Sequence, residues 1–187
     1  KLMVILDLGI SDKETMYIGK IITYWSAIEN EIFLQSVANF ENIETLPKEL
    51  KNLQFTSLKL YWKEFIIDKT ENEIIKNVLN KQFEEIEKVK DIRDAIAHSF
   101  WEWSSDNLSQ IKTIRVRKDK IISLTFTVDD LENFFIKLAE IYTNIKCPNG
   151  ITDIFSDVIK KGYSEPSRMA LSRITNHKIS TDWNIIN

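Results

Sequence analysis

A single cysteine, Cys147, excludes an intramolecular disulfide and any cysteine-rich zinc site, and fits a reducing, cytoplasmic setting. Glycine (4) and proline (3) are scarce in 187 residues, which argues against an all-β architecture with many tight turns and for helices joined by few breakers. His98 and Glu102 are four apart, yet only two histidines exist and a catalytic zinc wants three protein ligands, so no metal is expected. No apolar run approaches the roughly 20 residues of a bilayer span, and no membrane association is expected. Asp7 interrupts the opening Leu2-Met3-Val4-Ile5-Leu6 and no small-residue cleavage site follows, which makes a poor signal peptide. A net charge of −3 gives no global pull toward nucleic acid, so any such binding must be local.

What is present is ordinary globular material. Hydrophobic content of 43% with 28% charged residues is too apolar for a disordered chain and too charged for a membrane one. The length suits one core, and the pattern places it in residues 1–150, with 151–187 as an appendage of a short helix, near 152–161, and a tail.

Ser11 or Asp12, with Glu14 in the first turn, predicts a helix start, and apolar residues from Tyr17 through Trp25 to Phe33 then recur at helical spacing to about Asn39. Glu29 lies at the edge of that stripe, either as a rim salt bridge or as partner to a buried cation. Residues 40–54 read as a connection with at most a short helical piece. Phe55, Leu58, Tyr61, Trp62 and Phe65 predict a second helix ending near Asp68. Thr70 is a candidate cap, with Glu73 three residues on, for a long third helix whose stripe runs from Ile74 to Ile96.

Beyond Ser104-Ser105-Asp106-Asn107, two β-branched runs flank Arg117-Lys118-Asp119-Lys120 and predict a β-hairpin. Lys112, Arg115, Arg117, Lys118 and Lys120 against Asp119 leave a local excess of four positive charges. Such charges guard strand edges; the sharper reading of these five is a phosphate-contacting patch beside the stretch around Arg93 and His98. Thr127, followed by Asp129 and Asp130, predicts the cap of a further helix that stops at Cys147-Pro148-Asn149-Gly150.

The chemistry-bearing stretch is Arg93-Asp94-Ala95-Ile96-Ala97-His98, at the end of the long helix. On an ideal α-helix Arg93 and His98 point roughly 140° apart, so they share one site only if the helix bends or a symmetric partner supplies the second pair. Asp94 and His98 are four apart and share a face, where a carboxylate can orient the imidazole. Bare spacing leaves the bland reading open: a helix-end histidine, and an arginine paired with Glu29 or Asp91.

Arg93-Asp94-Ala95-Ile96-Ala97-His98 followed by Ser99-Phe100-Trp101 resembles the Arg-(polar)-x-x-Ala-His signature of HEPN domains. Gly19-Lys20-Ile21-Ile22, with Trp25, Ile28 and Glu29, is similar to the first helix of many bacterial members, and the resemblance covers roughly residues 15–146. It departs in Asp94, where Asn is usual, and in Ser99, where Gly often follows the histidine. The resemblance implies a mainly α protein: a bundle of four to five helices, here with one inserted β-hairpin, that forms a homodimer and sets two Arg/His motifs across a cleft. It implies a metal-independent endoribonuclease without cofactor, of toxin–antitoxin or phage-defence type, with RNA as substrate and an antitoxin or regulatory protein as a further partner. His98 would be acid and base, Arg93 the phosphate clamp, and Asp94 the group orienting His98, with Trp25 and Glu29 in support. The alternative is a non-catalytic HEPN-like module that binds nucleotide or a protein partner.

Overall fold

The computed structural model describes residues 9–38, 40, 46–51, 54–103, 107, 109–117, 120–150 and 153. The chain divides into two compact units, 1–149 and 150–187. In the second, the backbone N–H of Asp153 donates to the Gly150 carbonyl at 3.2 Å; the short helix expected near 152–161 otherwise falls outside the described residues.

The first unit is mainly helical. Helix α1 spans Asp12–Val37 and opens on a capping box: Ser11 Oγ accepts from the Glu14 N–H while the Glu14 carboxylate accepts from the Ser11 N–H at 2.7 Å. A short helix α2 (Lys48–Lys51) precedes α3 (Phe55–Trp62). A π-helical turn over Lys63–Ile67 continues α3, closed by the Asp68 N–H donating to the Lys63 carbonyl at 3.0 Å. The wider turn brings residues five apart onto one face, and Trp62 and Ile67 are both fully buried.

Helix α4 spans Glu73–His98, and its cap differs from expectation. Asn72, not Thr70, caps it, its side-chain oxygen accepting from the N–H groups of Ile74 and Ile75, while the Thr70 hydroxyl donates back to the Ile66 carbonyl. The start therefore falls after Asn72, and Ile74, expected on the apolar stripe, is exposed. Helix α5 (Val128–Lys146) starts on a second capping box, Thr127 with Asp130, and its Cys147 N–H donates to the Thr143 carbonyl.

Helices α1 and α5 form the centre. Ile21, Trp25, Ile28 and Ile32 of α1 are buried in one core with Leu131, Leu138, Ile141 and Ile145 of α5, joined by Trp62 and Ile67. Gln35 ties the layers, accepting from the Trp62 indole N–H at 2.9 Å and donating to the Ile145 carbonyl at 3.0 Å. Burial of this apolar surface, at roughly 1.5–3 kcal/mol per large side chain, is what holds the helices together.

The expected hairpin, Ile111–Arg117 (β2) with Lys120–Phe126 (β3), is part of a larger sheet. Phe100–Trp103 forms strand β1, pairing antiparallel with β2 in the order β1-β2-β3. The alternation of a sheet puts Ile111, Thr113 and Phe126 against the body, where they are buried, and turns Phe100, Ile114, Val116 and Ile121 outward. Among the described residues no helix is long and apolar enough to cross a membrane.

Candidate functional site

Trp25 and Glu29 are four residues apart on α1 and therefore neighbours on one face, and the Trp25 indole N–H donates to Glu29 Oε1 at 2.5 Å. Helix α4 brings Arg93 onto the same spot. Its guanidinium carbon lies 4.7 Å from the centre of the Trp25 ring, Nη2 donates to Glu29 Oε1 at 3.2 Å, and Nη1 donates to Asp94 Oδ1 at 2.9 Å. Cation–π stacking and two charge-assisted hydrogen bonds thus hold a half-buried arginine in one orientation. Two of its five N–H donors are used in these bonds.

Asp94 does not orient His98. It accepts from Arg93, the adjacent residue, and no hydrogen bond joins it to the imidazole. A guanidinium is a permanent cation and outcompetes an imidazole for a nearby carboxylate. His98 itself is exposed, at the last residue of α4, and makes no hydrogen bond or ion pair among the described residues. Helix α4 is regular to its end, so Arg93 and His98 keep the divergence of roughly 140° that α-helical geometry sets.

The chain turns sharply after His98. Ser99 adopts an extended backbone, φ −100° and ψ 162°, and ends the helix. Four carbonyls at a helix end lack helical partners; the Trp101 indole N–H donates to that of Ile96 at 3.2 Å. Trp101 also packs on Phe126, with ring centres 5.9 Å apart, which fixes β1 to the sheet. The Ser99 hydroxyl is buried with no hydrogen-bond partner among the described residues.

The sheet carries the expected cations unequally. Lys112 bonds Glu102 across β1 and β2, with Nζ to Oε1 at 3.4 Å. Arg115 is half-buried, and Lys120 is exposed at the start of β3. Arg117 ends β2, and its side chain and all of Lys118 lie outside the described residues. The Arg93 cluster and the sheet cations are thus two separate groups along the sequence, with His98 and the turn between them. Among the described residues no group of three or more His, Cys, Asp or Glu side chains is placed to hold a metal ion.

Beside Glu29 runs a groove of about 330 Å³ lined by Glu29, Asn30, Phe33, Phe55 and Leu58. Helical spacing accounts for Phe33, Phe55 and Leu58 as core positions, and the concavity between α1 and α3 has no signal in the sequence. Elsewhere charge is structural: buried Lys59 pairs with Glu87, and burial, with Lys90 adding repulsion, pushes the Lys59 ammonium below its usual value. Glu85 bridges helices, bonding Lys137 of α5 at 2.6 Å and Lys88 at 2.8 Å, and these two bonds hold its carboxyl down at about 2.

Comparison with protein families, with curated proteins and with solved structures returned no match to this chain.

Proposed function

We propose that the chain is a metal-independent endoribonuclease of HEPN type whose active cleft forms between two copies. The observation that supports it is the division of roles on α4: Arg93 is clamped by Trp25, Glu29 and Asp94, and His98, five residues later, is exposed and has no partner among the described residues. In the reaction the ribose 2′-hydroxyl attacks the adjacent phosphorus, the bond from phosphorus to the 5′-oxygen breaks, and a 2′,3′-cyclic phosphate and a 5′-hydroxyl result. His98 accepts the proton of the 2′-hydroxyl, and the 5′-oxygen receives a proton as it leaves; with two copies, one imidazole can serve each task. The unused N–H donors of Arg93 stabilise the charge of the phosphorane. Arg115 and Lys120 would hold the strand by its phosphates, while Lys112 is paired with Glu102. In a toxin–antitoxin or phage-defence setting, a regulatory protein covering His98 would silence the site.

The test is cleavage of single-stranded and structured RNA by purified protein in a metal chelator. Wild type cuts, and His98→Ala loses about 10²–10⁴-fold in rate. Intact RNA with wild type, or equal cutting by His98→Ala, ends this reading.

A second reading has its own support: two carboxylates neutralise Arg93, and a groove lies beside one of them. Under it the chain is a non-catalytic module that binds a nucleotide or a protein. A nucleotide-dependent rise in Tm with no cleavage of any RNA is its expected signature.

A further inference from the structure

The outward face of the sheet is apolar where a solvated sheet is normally polar. Phe100 is 85% exposed, Val116 72% and Ile121 75%. The register joins them into one patch: Phe100 stands opposite Ile114, Val116 stands opposite Ile121, and Ile114 and Val116 are alternate residues of β2 on the same side. Strand edges and faces left to water are usually guarded by charge or proline. Among the described residues of this face the charged ones are Glu102 and Lys112, bonded to each other at 3.4 Å.

We infer that this face is the surface on which a second copy of the chain docks. The choice of occupant rests on charge and on position. A face holding one acid and one base beside an apolar patch is self-complementary: under a two-fold axis Glu102 of each copy meets Lys112 of the other, and the apolar patches meet across the axis. RNA fits this face poorly, because its charges cancel; Lys120, without an ion pair among the described residues, lies on the opposite face, where its strand position pairs with Arg117. The patch also begins two residues after His98, so a two-fold axis through it draws the two His98 side chains toward each other. This deepens the ribonuclease reading, on which it rests for the need of a second copy, by naming the surface that joins the half-sites.

The experiment is light scattering and sedimentation equilibrium on the full chain, with wild type beside Val116→Glu/Ile121→Glu. Wild type is expected to be a dimer. The double variant places four unpaired carboxylates in the interface and raises the dissociation constant by at least about a hundredfold, with an unchanged circular-dichroism spectrum. Glu102→Lys, which exchanges attraction for repulsion, weakens the dimer too, and Glu102→Lys/Lys112→Glu restores it; this pair decides the matter if the first variant fails to fold. A monomeric wild type, or a double variant that dimerises like wild type, overturns the inference. The two readings fail separately: a dimer broken by these variants that cuts no RNA retains the interface and loses the ribonuclease, and a cutting protein whose dimer ignores them does the reverse.

Discussion

Two pairs of residues five apart are treated in opposite ways by this fold. Trp62 and Ile67 are both fully buried in the same core, and a π-helical turn over Lys63–Ile67 is what aligns them. Arg93 and His98 lie on a regular α-helix, and their side chains part: the arginine is fixed against α1, the histidine is in solvent. The widened turn forgoes regular hydrogen bonding where burial of two large apolar groups compensates, at roughly 1.5–3 kcal/mol each. No such gain is available to two polar groups within one chain. The pair 93/98 is therefore built as a fixed half and a free half.

That contrast can be attacked from its strongest support downward. Trp25→Ala removes the buried ring under Arg93 and beside Phe55; it should cost about 3–5 kcal/mol in a denaturant titration, and a loss below 1 kcal/mol would mean that the fixed half is not rigidly held. Arg93→Met leaves the Glu29 and Asp94 carboxylates without their cation and should cost about 1–3 kcal/mol. The same change in a Glu29→Gln/Asp94→Asn background should cost clearly less, because the couplings are gone.

Smaller again is Glu85→Gln, which tests the packing of α4 on α5 that sets where Arg93 sits. The Glu85 carboxyl is held at about 2 against an ordinary value near 4.5. A depressed folded-state value means that ionised Glu85 stabilises the protein above about pH 4.5 and loses that contribution as pH falls toward 2. In thermal melts the wild-type advantage over Glu85→Gln should be constant from pH 7 to about 5 and shrink steadily below 4.5. An advantage that grows on acidification would refute the bridge to Lys137. The smallest effect belongs to the free half: His98→Ala, the variant of the cleavage test, should shift stability by less than about 0.5 kcal/mol. A larger loss would show a structural histidine and dissolve the contrast.

The same split between local and distant interactions explains what could be read from the chain. Ser11 with Glu14, and Thr127 ahead of Asp130, are caps whose partners lie three residues away, so spacing alone announces them. At α4 the spacing pointed to Thr70, but the Thr70 hydroxyl donates to the Ile66 carbonyl in the turn ending α3, and Asn72, two residues on, takes the cap. Strand β1 was hidden because Phe100-Trp101-Glu102-Trp103 continues an apolar helical stretch without a breaker; pairing to Ile111–Ile114 makes it a strand. The outward apolar face is visible only once that register is known. Helical spacing paired Asp94 with His98, four residues on, and the bond to the adjacent Arg93, itself held against α1 by Trp25 and Glu29, was not legible there.

By itself, then, the sequence determined the helices, the caps of α1 and α5, the hairpin and the candidacy of Arg93 and His98, because each rests on residues within a few positions of one another. Only the tertiary structure decided that Arg93 would stack on Trp25 and pair with Glu29, 64 residues away, that His98 would stand in water, and that the sheet would leave an apolar face outward. Those outcomes depend on which helices share a core. Burial is proportional to area and blind to direction, so a periodic stripe says that a face will be covered and not by what.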